Sequence, residues 1–185
     1  MPSHIAHTAA AYAVYSVFAW GGSQKSTALK GAAAVFLAAA VVLSLLHDLS
    51  SLAALFGADL STVHNNWEHS LMVALVVALV LGGLVQLRTG QGFSRWFWFA
   101  FVCYSLHLIM DLFTVGRGVM LLWPFSGVRI SPPFKLFYGL HWSDGWLSTR
   151  HWWTLLTETA FALVVIVLVR RRRPGVAWNM QDGKS

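Results

Sequence analysis

One stretch decides the fold: residues 70–87 read SLMVALVVALVLGGLVQL and contain no charged side chain. A helix that spans the hydrocarbon core of a bilayer needs about 20 largely apolar residues. A soluble domain offers few places to bury a helix that is apolar on every side. The stretch therefore predicts a membrane-spanning helix.

Four further apolar stretches extend this pattern. Three of them are clear, and a fourth, rich in Ala and Tyr, is marginal; in chain order they are residues 5–20, 29–46, 96–112 and 152–169. Trp and Tyr cluster near several of their ends, as expected for side chains that anchor in the headgroup zone. The sequence predicts an all-α fold, a polytopic transmembrane helical bundle of about five membrane-embedded helices. We expect one domain over residues 1–173 and a polar tail over residues 174–185.

The composition agrees with a membrane location. The 185 residues are 57% hydrophobic and only 11% charged, whereas a soluble domain carries about 25% charged residues. The single cysteine, Cys103, excludes an intrachain disulfide and a cysteine-rich zinc site. The net charge of +6 includes a run of four arginines directly after the last apolar stretch. Because such a run typically flanks a span in the cytoplasm, we expect no nucleic-acid partner.

The arginine run also predicts an orientation. Suppose that Arg170 to Arg173 lie in the cytoplasm and that each of the five spans crosses the membrane once. Counting back from the arginines, the short loops at residues 21–28 and 88–95 then also lie inside. The N-terminus and the long loops at residues 47–69 and 113–151 then lie outside. The sequence therefore predicts a multi-pass protein of the bacterial inner membrane, with its functional face away from the cytoplasm.

On this topology the histidines gather at one membrane face. All eight fall on the non-cytoplasmic side, together with four acidic residues; the set is His4, His7, His47, Asp48, His64, Glu68, His69, His107, Asp111, His141, Asp144 and His151. Ionisable side chains within a membrane usually face the bundle interior or a water-filled cavity. We therefore expect a polar pocket at this face.

The residue types favour a metal. His107 and Asp111 are four residues apart and lie on one side of a helix. Imidazole and carboxylate together ligate Zn²⁺, and also Mn²⁺ or Fe²⁺. The sequence predicts a divalent metal, with Zn²⁺ as the first choice. The alternative for any single residue is an ordinary hydrogen bond between helices. Glu158 lies inside the fifth span among three threonines. It either forms a structural hydrogen bond between helices or orients a metal ligand.

Four segments in a fixed order resemble a known family. They read SHIAH at residues 3–7, LLHDL at 45–49, HNNWEHSL at 64–71 and HLIMDLFTVGRGVMLLWPF at 107–125. This order resembles the membrane-bound metal-dependent hydrolase family, the YdjM-like, LexA-regulated-type bacterial inner-membrane proteins. The resemblance covers residues 1 to about 126. It implies that the functional residues are those that match the family motifs: His4, Asp48, His64, His69, His107 and Asp111.

The chain departs from the family pattern in two segments. Many relatives have Pro-Asp-x-Asp-His where this chain has a single matching aspartate, Asp48. Many also have His-Arg-Gly-x-Thr-His where this chain places residues 65–68, Asn-Asn-Trp-Glu, between the histidines. The resemblance then implies a changed substrate, or one metal ion where relatives hold two.

The leading hypothesis is hydrolysis of an ester or phosphoester bond in a lipid-like substrate at the membrane face. The expected ligands are His64, His69, His107 and Asp111, with Asp48 and His4 as further ligands or as catalytic support. We expect Glu68 to act as general base, and Arg117 or Arg129 to bind a phosphate headgroup. His7, His47 and Glu158 are secondary candidates.

Two rival functions stay open. A transporter for a metal ion or a proton would need ionisable groups across the whole bilayer, but the cytoplasmic half of every predicted span has no acid or histidine. A non-catalytic membrane protein would use the same metal structurally, in a closed site with four ligands.

Overall fold

The described residues form a bundle of five helices. The computed structural model describes residues 4–18, 27–46, 56–57, 66–90, 92–139 and 148–171, and only the backbone of residues 4 and 27–33. The described part contains no β-strand; its helices are α1 (His4–Phe18), α2 (Thr27–Leu45), α3 (Leu71–Thr89), α4 (Phe93–Leu112) and α5 (Arg150–Arg171). The predicted all-α bundle is confirmed, and each helix begins and ends within three residues of its predicted stretch. The predicted tail at residues 174–185 lies outside the described residues.

Capping groups fix both ends of α3. The hydroxyl of Ser70 accepts a hydrogen bond from the amide of Val73 at 3.3 Å, which satisfies a free amide of the first turn. At the other end Gly90 has a φ of 71°, and its amide donates to the carbonyl of Gln86 at 2.8 Å. This N-terminal cap also fixes the backbone next to His69, which directly precedes it.

Small residues bring α3 against α4. Ala74, Ala78 and Gly82 are spaced four residues apart and form the buried face of α3. A Cβ atom on Gly82 would lie 3.1 Å from the carbonyl oxygen of Phe93, whereas a Cβ on the neighbouring Gly83 would meet nothing within 4 Å. Small residues at this spacing allow the close backbone approach on which helix packing in membranes depends. The two helices form an antiparallel hairpin.

The centre of the bundle is α4, which packs against α1, α2 and α3. Phe99 is fully buried and contacts Phe36 and Trp96 edge-to-face, with ring centroids 5.2 and 5.6 Å apart. Helix α5 packs on the outer side of α1. Arg95 connects the start of α4 to the end of α1: its Nη2 atom donates a hydrogen bond to the carbonyl of Phe18 at 2.6 Å.

The outer surfaces of α3 and α5 are apolar. Among the described helices, these two are long and apolar enough to cross a membrane, and most of their residues lie outside the bundle core. Their exposed side chains include Val80, Leu84, Leu163 and Val167. A soluble monomer rarely exposes so continuous an apolar surface. The chain is therefore a helical membrane protein.

The segment from 113 to 139 folds back over the end of α4. Two isolated bridges order it: Thr114 pairs with Phe137 and Val119 with Ile130. Gly118 has a φ of 79°, and a Cβ there would lie 2.5 Å from the carbonyl oxygen of Ile130, so this position requires glycine. The fold-back places the segment next to the histidines at the ends of α1 and α4.

Candidate metal centre

Three buried side chains from two helices converge at one end of the bundle. His7 lies near the start of α1, and His107 and Asp111 lie one turn apart near the end of α4. One potential ligand atom from each residue lies within 4.8 Å of the others. All three side chains are at most 4% exposed. The rings of His7 and His107 stack, with centroids 3.6 Å apart and planes 11° from parallel.

A fourth residue, His69, reaches the same carboxylate. Its Nε2 atom lies 3.1 Å from Oδ2 of Asp111, and Nε2 of His107 lies 3.1 Å from that same oxygen. The His69 side chain is completely buried. One carboxylate oxygen thus joins imidazoles from two separate segments of the chain. We call His7, His69, His107 and Asp111 the histidine–aspartate cluster.

Local packing explains why these residues meet. Alanines at positions 6 and 10 of α1 are buried against Met110 of α4, so the two backbones come close where His7 and His107 face each other. The hydroxyl of Tyr104 donates to the carbonyl of Glu68 at 2.7 Å. This hydrogen bond holds the turn before α3 against α4 and thereby positions His69.

The cluster fits a divalent cation. Imidazole nitrogen and carboxylate oxygen are the ligands that Zn²⁺, Mn²⁺ and Fe²⁺ accept in sites without sulfur. Oδ1 of Asp111 is buried, and no described group donates a hydrogen bond to it. A buried carboxylate is costly unless a cation or hydrogen bonds compensate its charge. A bound cation would supply that compensation.

Glu68 lies beside the cluster. Its side chain is nearly buried, and its Oε1 atom lies 3.7 Å from Nδ1 of His69. The same oxygen accepts a hydrogen bond from the amide of Asn66 at 3.4 Å. Trp67, between them in the sequence, is 55% exposed. The turn therefore carries its carboxylate inward and its indole outward.

Arg129 of the 113–139 segment contacts this turn. Nη2 of Arg129 donates to the Oδ1 atom of Asn66 at 2.8 Å, and its Nη1 donates to the carbonyl of Gly118 at 3.3 Å. Burial lowers the pKa of Arg129, the positive charge of Arg117 lowers it further, and the carboxylate of Glu68 acts in the opposite direction. The guanidinium group of Arg129 thus lies near both the carboxylate of Glu68 and the guanidinium group of Arg117.

The structure brings together several of the residues that the sequence singled out. His69, His107 and Asp111 meet in the cluster, Glu68 lies next to them, and Arg129 reaches the same turn. His7, a secondary candidate in the sequence, lies in the cluster as well. His4 begins α1, but its side chain lies outside the described residues.

The other predicted residues lie elsewhere or outside the description. Glu158 is fully buried in α5, one turn after Thr154. Thr154 donates to the carbonyl of Gly139 at 2.7 Å, so this part of α5 fastens the end of the 113–139 segment. The residues outside the described part are His47, Asp48, His64, His141 and Asp144.

Sequence reasoning missed two supporting residues, Asn66 and Tyr104. Tyr104 precedes His107 by three residues, so the helical spacing alone could have placed it on the same side of α4. The bond from Arg129 to Asn66 joins residues 63 positions apart, and no local pattern could have predicted it.

Comparison with known proteins places the chain in a family. A family model described as YdjM inner membrane protein matches residues 1–179, nearly the whole chain. The chain is also similar to the inner membrane protein YbcI of Escherichia coli strain K12, with 32% identity over 103 residues. That match covers 54% of this chain and 60% of the relative's length. No solved structure matches the chain. The chain, with its buried histidine–aspartate cluster, therefore belongs to the YdjM inner membrane protein family.

Proposed function

We propose that the chain is a metal-dependent hydrolase of the bacterial inner membrane, which cleaves an ester or phosphoester bond of a lipid-like substrate at the non-cytoplasmic face. The observation that supports this most is the histidine–aspartate cluster, in which three imidazoles and one carboxylate from three chain segments are buried together. Four such residues rarely share one buried position for structural reasons alone, because each must be desolvated.

The residues that would hold the ion are His7, His69, His107 and Asp111. When bound, a divalent cation such as Zn²⁺, Mn²⁺ or Fe²⁺ would lower the pKa of a water ligand towards ~7 and polarise the oxygen under attack. His64, Asp48 and His4 stay candidates for additional ligands or catalytic support, as the family resemblance implies.

The side chains around the cluster have complementary roles in this proposal. Glu68, with Oε1 3.7 Å from His69, would accept the proton of the attacking water. Arg129, and Arg117 near it, would bind a phosphate headgroup, since a guanidinium donates two parallel hydrogen bonds to phosphate oxygens. Asn66 holds Arg129 in place by accepting its hydrogen bond at 2.8 Å. Glu158 would stabilise α5 where it packs on α1.

One observation favours a second candidate, a non-catalytic protein with a structural metal. The four cluster side chains are almost completely buried, as expected of a closed site with four protein ligands. An open coordination position would favour catalysis instead. Transport of a metal ion or a proton is less well supported, because the described helices carry no acid or histidine in the half distant from the cluster.

The test is turnover by the purified full chain in lipid nanodiscs. Zn²⁺ or Mn²⁺ is supplied with a panel of phosphoester and carboxyl-ester lipids, and product release is measured. We expect hydrolysis of at least one lipid class, its loss in His107→Ala, and its retention in His151→Ala, which changes a half-buried histidine at the start of α5. Failure of every lipid with both metals would overturn the proposal.

A further inference from the structure

An apolar groove opens on the bundle surface between α3, α4 and the turn at residues 121–125. Its volume is about 270 Å³. The lining is made of large apolar side chains, among them Leu71, Leu75, Phe101, Leu121, Trp123 and Phe125. None of the described residues that line it is charged, so its surface suits a hydrocarbon occupant.

The groove is lined by residues from the same chain segments that carry His69 and His107. Leu71 lines the groove and follows His69 by two residues. The amide of Leu71 donates to the carbonyl of Leu121 at 3.0 Å. On the opposite wall Phe101 precedes His107 by six residues, which is about 9 Å along a helix. The groove therefore lies within about two helical turns of His69 and His107 along the chain.

Aromatic and cationic groups lie near the mouth of the groove. The rings of Trp67 and Trp123 contact each other, with centroids 5.8 Å apart. Asn66, next to Trp67, accepts the hydrogen bond of Arg129. Indoles and basic side chains are characteristic of the headgroup level of a bilayer. Trp123 thus links the groove to the turn at residues 66–69, which carries Asn66 with its Arg129 partner and also His69.

We propose that the groove holds one hydrocarbon chain of an anionic lipid, whose headgroup lies beside Arg129 and whose scissile bond reaches the histidine–aspartate cluster. This inference rests on the lipid-like substrate proposed above and deepens it to an anionic amphiphile. The small volume favours one flexible chain over a helix of a partner protein, which would need a broader face. The guanidinium groups of Arg129 and Arg117 favour a negatively charged headgroup.

The experiment uses photo-cross-linking of the full chain in phosphatidylcholine vesicles. The probe is phosphatidic acid with a diazirine in the middle of one acyl chain, and mass spectrometry locates the labelled residues. We expect the label on residues 71–75 and 121–125 to exceed the label on the outward face of α5. Leu75→Trp and Leu122→Trp each fill part of the groove and should lower its labelling about tenfold, equivalent to about two buried methylenes.

Leu163→Trp is the matched control, because it adds the same indole to a position on α5 that is 58% exposed. It should leave the groove labelling unchanged, and unaltered metal content and elution volume verify the fold of each variant. Labelling as strong on α5 as in the groove, or insensitive to both groove variants, would overturn the proposal. If a phosphatidylcholine probe labelled the groove as strongly as the phosphatidic acid probe, the inference of an anionic headgroup would be overturned. Cross-linking requires no turnover, so intact groove labelling without hydrolysis would refute the hydrolase alone.

Discussion

Asp111 organises the candidate site more than any other residue. Its Oδ2 atom lies 3.1 Å from both His69 and His107, while its Oδ1 atom is buried without a described donor. The pairing of His107 with Asp111 follows from a spacing of four residues on a helix and was predictable from the sequence. The place of His7 in the cluster was not, because the rotation of α1 depends on how its alanines pack against Met110.

Glu68 provides a prediction at the residue scale. Glu68→Gln keeps the shape of the side chain but removes the base, so we expect the hydrolytic rate to fall about 10²–10⁴-fold. Metal content should stay at the wild-type value, because Glu68 lies beside the cluster and not in it. Glu68→Asp, which keeps a carboxylate, should recover part of the rate. Unchanged turnover in Glu68→Gln would remove Glu68 from the mechanism.

Among the elements, the hairpin of α3 and α4 carries both His69 and the His107–Asp111 pair. The five helices were predictable from their length and apolar composition. The fold-back of residues 113–139 was not, because its bridges join residues such as Thr114 and Phe137 that no periodicity relates. The hydrogen bond between Arg129 and Asn66 was not predictable either, because contacts between loops depend on the assembled fold.

Two adjacent glycines of α3 allow a matched test of the hairpin. Gly82→Leu would drive a side chain into Phe93, 3.1 Å from the new Cβ, whereas Gly83→Leu would point into open space. Overpacking a tight contact costs about 1–3 kcal/mol. We expect Gly82→Leu alone to lower the thermal unfolding midpoint in detergent and to weaken metal retention. Equal effects of the two substitutions would show that α3 does not pack on α4 as described.

For the whole molecule, the central question is orientation in the membrane. The positive-inside rule places the turn after α3 in the cytoplasm and the start of α5 outside. The long loop before α5 carries Arg117 and Arg129, but the rule weakens for long loops. The number of crossings is predicted from the apolar stretches and their direction from charge, and together they determine which compartment the histidine–aspartate cluster faces.

Two threonines provide the topology test. Thr149→Cys, just before α5, should react with a membrane-impermeant maleimide on intact cells with a permeabilised outer membrane. Thr89→Cys, at the end of α3, should react only after the inner membrane is opened. The native Cys103 is 2% exposed, so background labelling should be low. Reaction of both cysteines from the same side would contradict the arrangement of α3, α4 and α5.

The histidine–aspartate cluster as a metal centre is the claim on which the functional account depends. The most direct measurement is the metal content of purified wild-type protein beside His69→Ala, His107→Ala and the control His151→Ala. We predict bound divalent metal in the wild type and in His151→Ala, and strong loss in the two cluster variants. Equal metal content in all four proteins, or none in the wild type, would contradict the account.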